Sequence, residues 1–262
     1  MAELPVLFIS HGAPNLVLHP TPAHDFLMEL GKKLPKPKAI LVISAHFTTQ
    51  QAALTGDATP TTIYDFGGFE PELYQMTYRA PGSLQLATEI AARLKSFGVP
   101  ANIVRNRGFD HGTWVPLKLM WPDADIPVVQ LSVQPNAGPD HHLAIGKAIA
   151  GLADEGILII GSGALTHNLH ELFGNNYALS SPAPDWVTEF GEWMRDHVER
   201  GDTGALLDYR RLAPFGKENH PTEEHLLPLF SALGAAGERM GKRIHSSEQY
   251  GVLMMDVYRF GE

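Results

Sequence analysis

The chain contains no cysteine. That absence excludes disulfides, thiolate nucleophiles and cysteine-held zinc or iron–sulfur centres. Any metal must be held by histidine, carboxylates or carbonyl oxygens. Basic charge is also scarce: 20 Lys and Arg stand against 29 Asp and Glu, for a formal net charge of −9 with histidine neutral. The basic pieces are short, Lys32-Lys33 with Lys36 and Lys38, and Arg105 with Arg107. Phosphate backbones are bound through clustered Lys and Arg, so neither nucleic acid nor an anionic membrane is an expected partner. No apolar run approaches the ~18 residues of a membrane helix. The start, Met1-Ala2-Glu3-Leu4-Pro5, lacks the basic-then-apolar order of a signal peptide, and a cytoplasmic protein is expected. Walker-type glycine loops, G-x-G-x-x-G after a strand and H-E-x-x-H are all missing. Gly161-Ser162-Gly163 is not a G-x-S-x-G nucleophile elbow.

What is present is an ordinary apolar core. With 262 residues, 44% hydrophobic and 19% charged, the chain has the composition of a globular protein. Val6–Ser10 reads as a strand, Pro22–Lys33 as a helix and Ala39–Ser44 as a second, continuously apolar strand. Thr48–Tyr78 reads as irregular. Ser83 reads as the cap of a helix running through Phe97 and ended by Gly98. Ala101–Val104, Pro127–Ser132 and Gly156–Ile160 follow as strands. Val115–Met120, Asp140–Ala153, Pro184–Arg200 and Glu223–Ala236 follow as helices. Tyr250–Phe260 reads as a late, weakly alternating, antiparallel strand. Strands alternating with helices predict a single α/β domain over residues 1–262, with a central, mostly parallel sheet flanked by helices. The stretches 48–78 and 164–184 then become long loops over the sheet edge. Trp186 and Trp193 mark either core or a homo-oligomer interface.

Five histidines occupy element ends or turns: His11, His46, His111, His167 and His225. Imidazole is the commonest metal ligand and titrates near neutral pH. Histidines repeated at strand ends point to one site in the crevice where α/β proteins bind ligands. His11 and His46 each follow an apolar run, so together they favour a metal over two isolated turn histidines. His225, placed on a first helical turn beside Glu223 and Glu224, offers a third ligand of either kind. The competing reading makes those glutamates complements to the helix dipole. His167 and His111 suit a general acid/base or a supporting donor. His220 either lines the same pocket or ends a loop. His24, His141 and His142 read as exposed, and His170 either shares a face with His167 or only caps. Phe47, Tyr64, Phe66, Phe69 and Trp114 are candidates for an aromatic pocket wall.

At these residues the chain resembles the class III extradiol ring-cleavage dioxygenases, in the 4,5-DOPA extradiol dioxygenase-like branch. The matching segments run in order along nearly the whole chain. They include Ser10-His11-Gly12-Ala13-Pro14, Ser44-Ala45-His46-Phe47, Ile63-Tyr64-Asp65-Phe66-Gly67-Gly68-Phe69 and Gly108-Phe109-Asp110-His111-Gly112-Thr113-Trp114. Ser162-Gly163-Ala164-Leu165-Thr166-His167-Asn168-Leu169 and Pro221-Thr222-Glu223-Glu224-His225 complete them. The resemblance implies a mononuclear metal held by His11, His46 and His225. It implies His167 as the acid/base histidine and His111 as a substrate- or oxygen-side donor. The expected activity is opening of a catechol-type ring (DOPA-, caffeate- or protocatechuate-like) with O2. Fe(II) is the expected working metal, with Zn(II) an alternative occupant. Ala13 departs from a serine common in the family. The competing functions are a zinc hydrolase, since three imidazoles and a water make a catalytic zinc pattern, and a non-catalytic metal-binding relative.

Overall fold

Strand β1 (Val6–Ser10) is buried at every position, as a parallel strand covered on both faces must be. The computed structural model describes residues 4–261. Helix α1 (Pro22–Lys33) starts where Thr21 Oγ1 accepts from the His24 amide and Pro22 takes the first turn. Strands β2 (Ala39–Thr48) and β3 (Ala53–Thr55) follow, then α2 (Leu84–Ser96), capped by Ser83 as expected. After β4 (Asn102–Val104) come α3 (His111–Met120), β5 (Val128–Val133), α4 (Gly138–Ile149) and β6 (Ile157–Gly163). Helices α5 (Leu169–Asn175), α6 (Asp185–Arg200), α7 (Thr203–Leu207), α8 (Tyr209–Leu212), α9 (Gly216–Asn219) and α10 (Leu227–Ala236) lead to the last strands. These are β7 (Gly241–His245), β8 (Glu248–Gln249), β9 (Leu253–Met254) and β10 (Val257–Phe260).

The described residues form an eight-stranded sheet in the order β4-β3-β5-β2-β6-β1-β10-β7. Its centre, β5-β2-β6-β1, is parallel throughout. Antiparallel pairs appear only further out, at β3/β5, β1/β10 and β10/β7. The fold is therefore the expected α/β domain, and the late strand is antiparallel. No helix among the described residues is long and apolar enough to cross a membrane.

Several boundaries differ from the sequence reading, and each difference has a physical reason. Strand β2 runs on past Ser44 to Thr48, with a register irregularity between them, so His46 lies within a strand rather than after one. Strand β3 was hidden in the irregular stretch because three residues are too few to show a period. Strand β7 was unread for lack of alternation. Strand β6 runs on past Ile160 through Gly161-Ser162-Gly163. Helix α10 begins at Leu227, with Pro228 in its first turn and no acidic residue there. His225 therefore precedes the helix, and the dipole role for Glu223 and Glu224 falls away.

Helix α3 begins four residues earlier than read, at His111, because Asp110 caps it by accepting from the Thr113 amide. A helix starting at Val115 would have Pro116 in its first turn, where proline is favoured. It sits instead inside the helix and brings no N–H to the carbonyl of Gly112, four residues back. That carbonyl is consequently available to a side chain, and the site uses it.

Candidate active site

Four of the five histidines are delivered by the carboxyl ends of the central strands or by the segments facing them. His11 follows β1, and its amide donates to the Gly163 carbonyl at 2.9 Å. His46 projects from the end of β2, and His111 opens α3. His225 is brought in when its own carbonyl accepts from Ala164 just beyond β6, at 2.9 Å. That approach requires glycine at 163: a Cβ there would stand 2.0 Å from the His225 carbonyl oxygen. Gly112 is needed for the same reason, since its Cβ would meet Ser44 Oγ at 2.8 Å, His46 Cδ2 at 3.1 Å and His11 Cε1 at 3.3 Å.

The ring nitrogens converge. His46 Nε2 lies 3.0 Å from His11 Nε2 and 3.2 Å from His225 Nε2. The opposite nitrogens each face an oxygen. His11 Nδ1 is 3.0 Å from Ser162 Oγ, whose own hydrogen goes to the Gly112 carbonyl freed by Pro116. His225 Nδ1 is 3.1 Å from Glu224 Oε1, and His46 Nδ1 is 3.5 Å from Asp65 Oδ2. These oxygens accept, so the hydrogens sit on Nδ1 and the bare Nε2 lone pairs of His11 and His225 both face that of His46. Such an arrangement is repulsive alone and becomes favourable around a cation. Two nitrogens about 2.1 Å from one ion and about 90° apart stand about 3.0 Å from each other, which agrees with the separations here. The residues fit a single metal ion.

Electrostatics agree with that fit. Burial, followed by the neighbouring imidazoles, pushes the pKa of His11, His46 and His225 well below the ordinary histidine value. They are neutral at neutral pH, the form that ligates. His111 also brings a nitrogen within 4.8 Å of those of His11 and His46. Its Nδ1 donates to Asp65 Oδ1 at 3.0 Å, as does its amide. Burial pushes the Asp65 carboxyl up, but the hydrogen bonds and charge of His111 outweigh it and hold it at about 2. His167 stacks on His225 with ring centroids 3.5 Å apart and planes 11° apart. Burial, then His111, pushes its pKa down to about 4. His167, Glu224 and His225 form a second close group of possible ligand atoms. Its Glu224 oxygen serves the Nδ1 edge of His225, facing away from the convergence point.

A cavity of about 700 Å³ opens over the cluster and is lined by all five histidines. Phe66 and Phe69 line it as expected, but Phe47, Tyr64 and Trp114 do not. Trp114 is buried and donates to the Ile63 carbonyl at 3.1 Å, while Phe47 lies under the Arg107 guanidinium at 4.1 Å. The rest of the apolar wall comes from Leu169, Leu172 and Phe173 of α5, with Tyr177 and Tyr250. Both long loops therefore reach the site. His220 does not line it: its ring is buried and bonded to the Leu165 carbonyl at 2.7 Å. His142, expected to be exposed, is fully buried and accepts from the Gln134 amide at 3.0 Å.

Sequence reading missed the residues that hold the clustered histidines in place. Asp65 was legible only as a carboxylate inside a Gly- and aromatic-rich motif. Asp110 does not orient His111. It is fully buried and accepts from Ser44 Oγ at 2.7 Å, Gln130 Nε2 at 2.6 Å and Arg107 Nη2 at 3.0 Å. The same Arg107 nitrogen donates to the His46 carbonyl at 3.1 Å. One carboxylate thus ties β2, β5 and the start of α3 together behind the site.

A buried imidazole cluster at the carboxyl edge of a parallel sheet, under an apolar cavity, defines a metalloenzyme site. The comparisons make the class specific. Residues 6–260 match the family described as the catalytic LigB subunit of aromatic ring-opening dioxygenase, and the chain belongs to that family. It is 43% identical over 258 residues to a Beta vulgaris protein named "4,5-DOPA dioxygenase extradiol", covering 97% of this chain and 95% of that one. An Escherichia coli K12 protein of the same name is 40% identical, covering 89% and 85%. A crystal structure of an uncharacterized E. coli K12 protein superposes with a TM-score of 0.81 at 33% identity, covering 98% of this chain and all of that one. By class the protein is an oxidoreductase, an aromatic ring-opening extradiol dioxygenase.

Proposed function

We propose that the protein opens the ring of a catechol with O2, using Fe(II) held by His11, His46 and His225. The observation that supports this reading is the convergence of three bare Nε2 atoms beneath an apolar cavity. His225 is preferred to His111 as third ligand because its nitrogen approaches His46 within 3.2 Å. The metal, when bound, brings catechol and dioxygen together and carries charge between them. The chain's own groups do the rest. His167, neutral near pH 7 and exposed to the cavity, accepts a phenolic proton from the entering diol. His111, with Nδ1–H tied to Asp65, presents Nε2 to the same space and exchanges a proton with the oxygen side of the reaction. Asp65 keeps both His46 and His111 in one tautomer. Phe66 and Phe69 cover a flat ring and exclude water. DOPA, for which the plant and bacterial relatives are named, falls in this class.

The test is oxygen consumption by anaerobically Fe(II)-loaded protein with DOPA, caffeate, protocatechuate and gallate. Uptake of one O2 per catechol with a yellow product is expected. Absence of uptake by iron-loaded protein, together with oxygen-independent ester or amide hydrolysis by the zinc form, would replace this reading with a zinc hydrolase.

A further inference from the structure

The cavity over the histidines carries charge of only one sign beyond the imidazoles. Its lining includes two carboxylates, Asp65 and Glu70, and neither lysine nor arginine. Asp65 is engaged by His111 and His46. Glu70 stands apart from the ligands, on the loop wall just before the short 3-10 turn Pro71–Gln75. Its Oε1 accepts from His19 Nε2 at 2.7 Å and from Asn15 Nδ2 at 3.4 Å. A hydrogen bond from its own backbone and the one from His19 lower its pKa, so it is ionised at neutral pH. Its second oxygen, Oε2, is shielded from solvent and has no hydrogen-bond partner among the described residues. A shielded carboxylate oxygen without a donor is unfavourable, and a donor supplied by a bound molecule relieves it.

Beyond His19, which faces Oε1, the neighbouring groups are an amide and a hydroxyl. Buried Asn15 keeps its amide 3.1 Å from the Tyr250 hydroxyl. Tyr250 is held at φ 51, the left-handed region that favours glycine, with its side chain on the cavity wall. This wall therefore offers hydrogen-bond capacity and a negative charge, with neither lysine nor arginine in its lining to receive an anionic substituent.

We propose that Glu70 is the specificity-determining residue of this site, selecting catechols whose side chain ends in a cationic amine over those that end in a carboxylate. An ammonium gains a charge-assisted hydrogen bond at Glu70. A carboxylate meets a like charge with no lysine or arginine on the wall to offset it. An amino-acid side chain is then held through its amine, and its carboxylate adds nothing. This inference rests on the catechol reading of the pocket.

Calorimetry on the zinc-loaded protein, which binds without turnover, tests it with three ligands: dopamine, its carboxylate counterpart dihydrocaffeate, and uncharged methylcatechol. Dopamine is expected to bind at least about tenfold more tightly than dihydrocaffeate. Glu70→Gln should bring that ratio to about threefold or less, and Glu70→Lys should invert it. A purely structural role would weaken both ligands in parallel and leave the ratio intact. The proposal is overturned if wild type binds the two charged ligands alike, or if either variant, folded by circular dichroism, keeps the wild-type ratio. Failure of methylcatechol to bind would overturn the catechol reading itself. Its binding alongside an unchanged charge ratio would remove only the role of Glu70.

Discussion

The two ends of the cavity are built on opposite principles. At the floor, His11, His111 and His225 are nearly inaccessible, and each ring has an oxygen at its Nδ1, from Ser162, Asp65 and Glu224. At the mouth, α5 has no buried residue, and Phe173 is 78% exposed. The floor is made by sheet ends whose position follows from the core. The mouth is made by loops whose side chains gain little from the fold and keep their apolar surface for a ligand. Rigid placement is needed where several ligands must meet one ion. Exposed, weakly held surface suffices where a flat substrate must enter and be covered.

The contrast is most directly broken at the floor. His46→Ala removes the one nitrogen that both other ligands approach, and loss of metal and turnover is expected. Affinity measured by competition with a chelator should fall beyond the about 10–100-fold that supporting residues contribute. Stoichiometric metal in the purified variant would remove His46 from the ligand set.

Asp110→Ala tests whether the floor and the core are one structure. It strips a buried carboxylate from Arg107, Gln130 and Ser44 at once. A loss of about 3–5 kcal/mol is expected, seen as a melting temperature lower by roughly 10 °C. A melting curve within a degree of wild type would show that the network does not support the fold.

Glu224→Gln probes the bracing alone. The amide can orient to accept from His225 Nδ1, but the carboxylate charge is gone. Metal affinity should fall about tenfold with little change in melting temperature. Equal loss of both would show that Glu224 acts through folding.

Acid should separate buried histidines from the rest of the molecule. Burial lowers His142 to about 4 and His220 to about 3, and lowers His167 to about 4. The unfolded chain binds protons to these rings below about 6.5, whereas the folded one does so only below the lowered values. The unfolded state therefore binds more protons in that window, and stability rises with pH through it. The metal-free protein should lose about 1.4 kcal/mol per pH unit for each such ring as pH falls from about 6.5 towards 4. Denaturant midpoints flat between pH 7 and 4 would contradict the burial of these groups.

The smallest effect on stability is expected at the mouth. Phe173→Ala should shift the melting temperature by less than about 1 °C while raising KM severalfold for a catechol. A large fall in stability would mean that α5 belongs to the core after all.

Much of this molecule was legible in the residues. The central strands could be read because a strand buried on both faces is apolar without interruption, as β1 and β6 are. Helices α1 and α2 could be read because Thr21-Pro22 and Ser83 carry capping chemistry in the local sequence. His11, His46, His111, His167 and His225 could be picked out by residue type and position. The pieces that escaped are those whose meaning is not local. Asp65 lies 46 residues from His111, and Ser162 lies 151 residues from His11. Pro116 reads as a helix start and acts instead by leaving the Gly112 carbonyl to Ser162. His142 and His220 look like the other histidines and are simply buried.

The sequence by itself determined the layered α/β fold, the absence of thiol chemistry, the family and the five histidines of the site, because composition, capping and apolar runs act over a few residues. Only the tertiary structure decided which nitrogens face one another, which carboxylate braces which ring, and which walls are charged. Those are relations between distant segments, set when the parallel strands align their carboxyl ends and bring loops from the whole length of the chain over one edge.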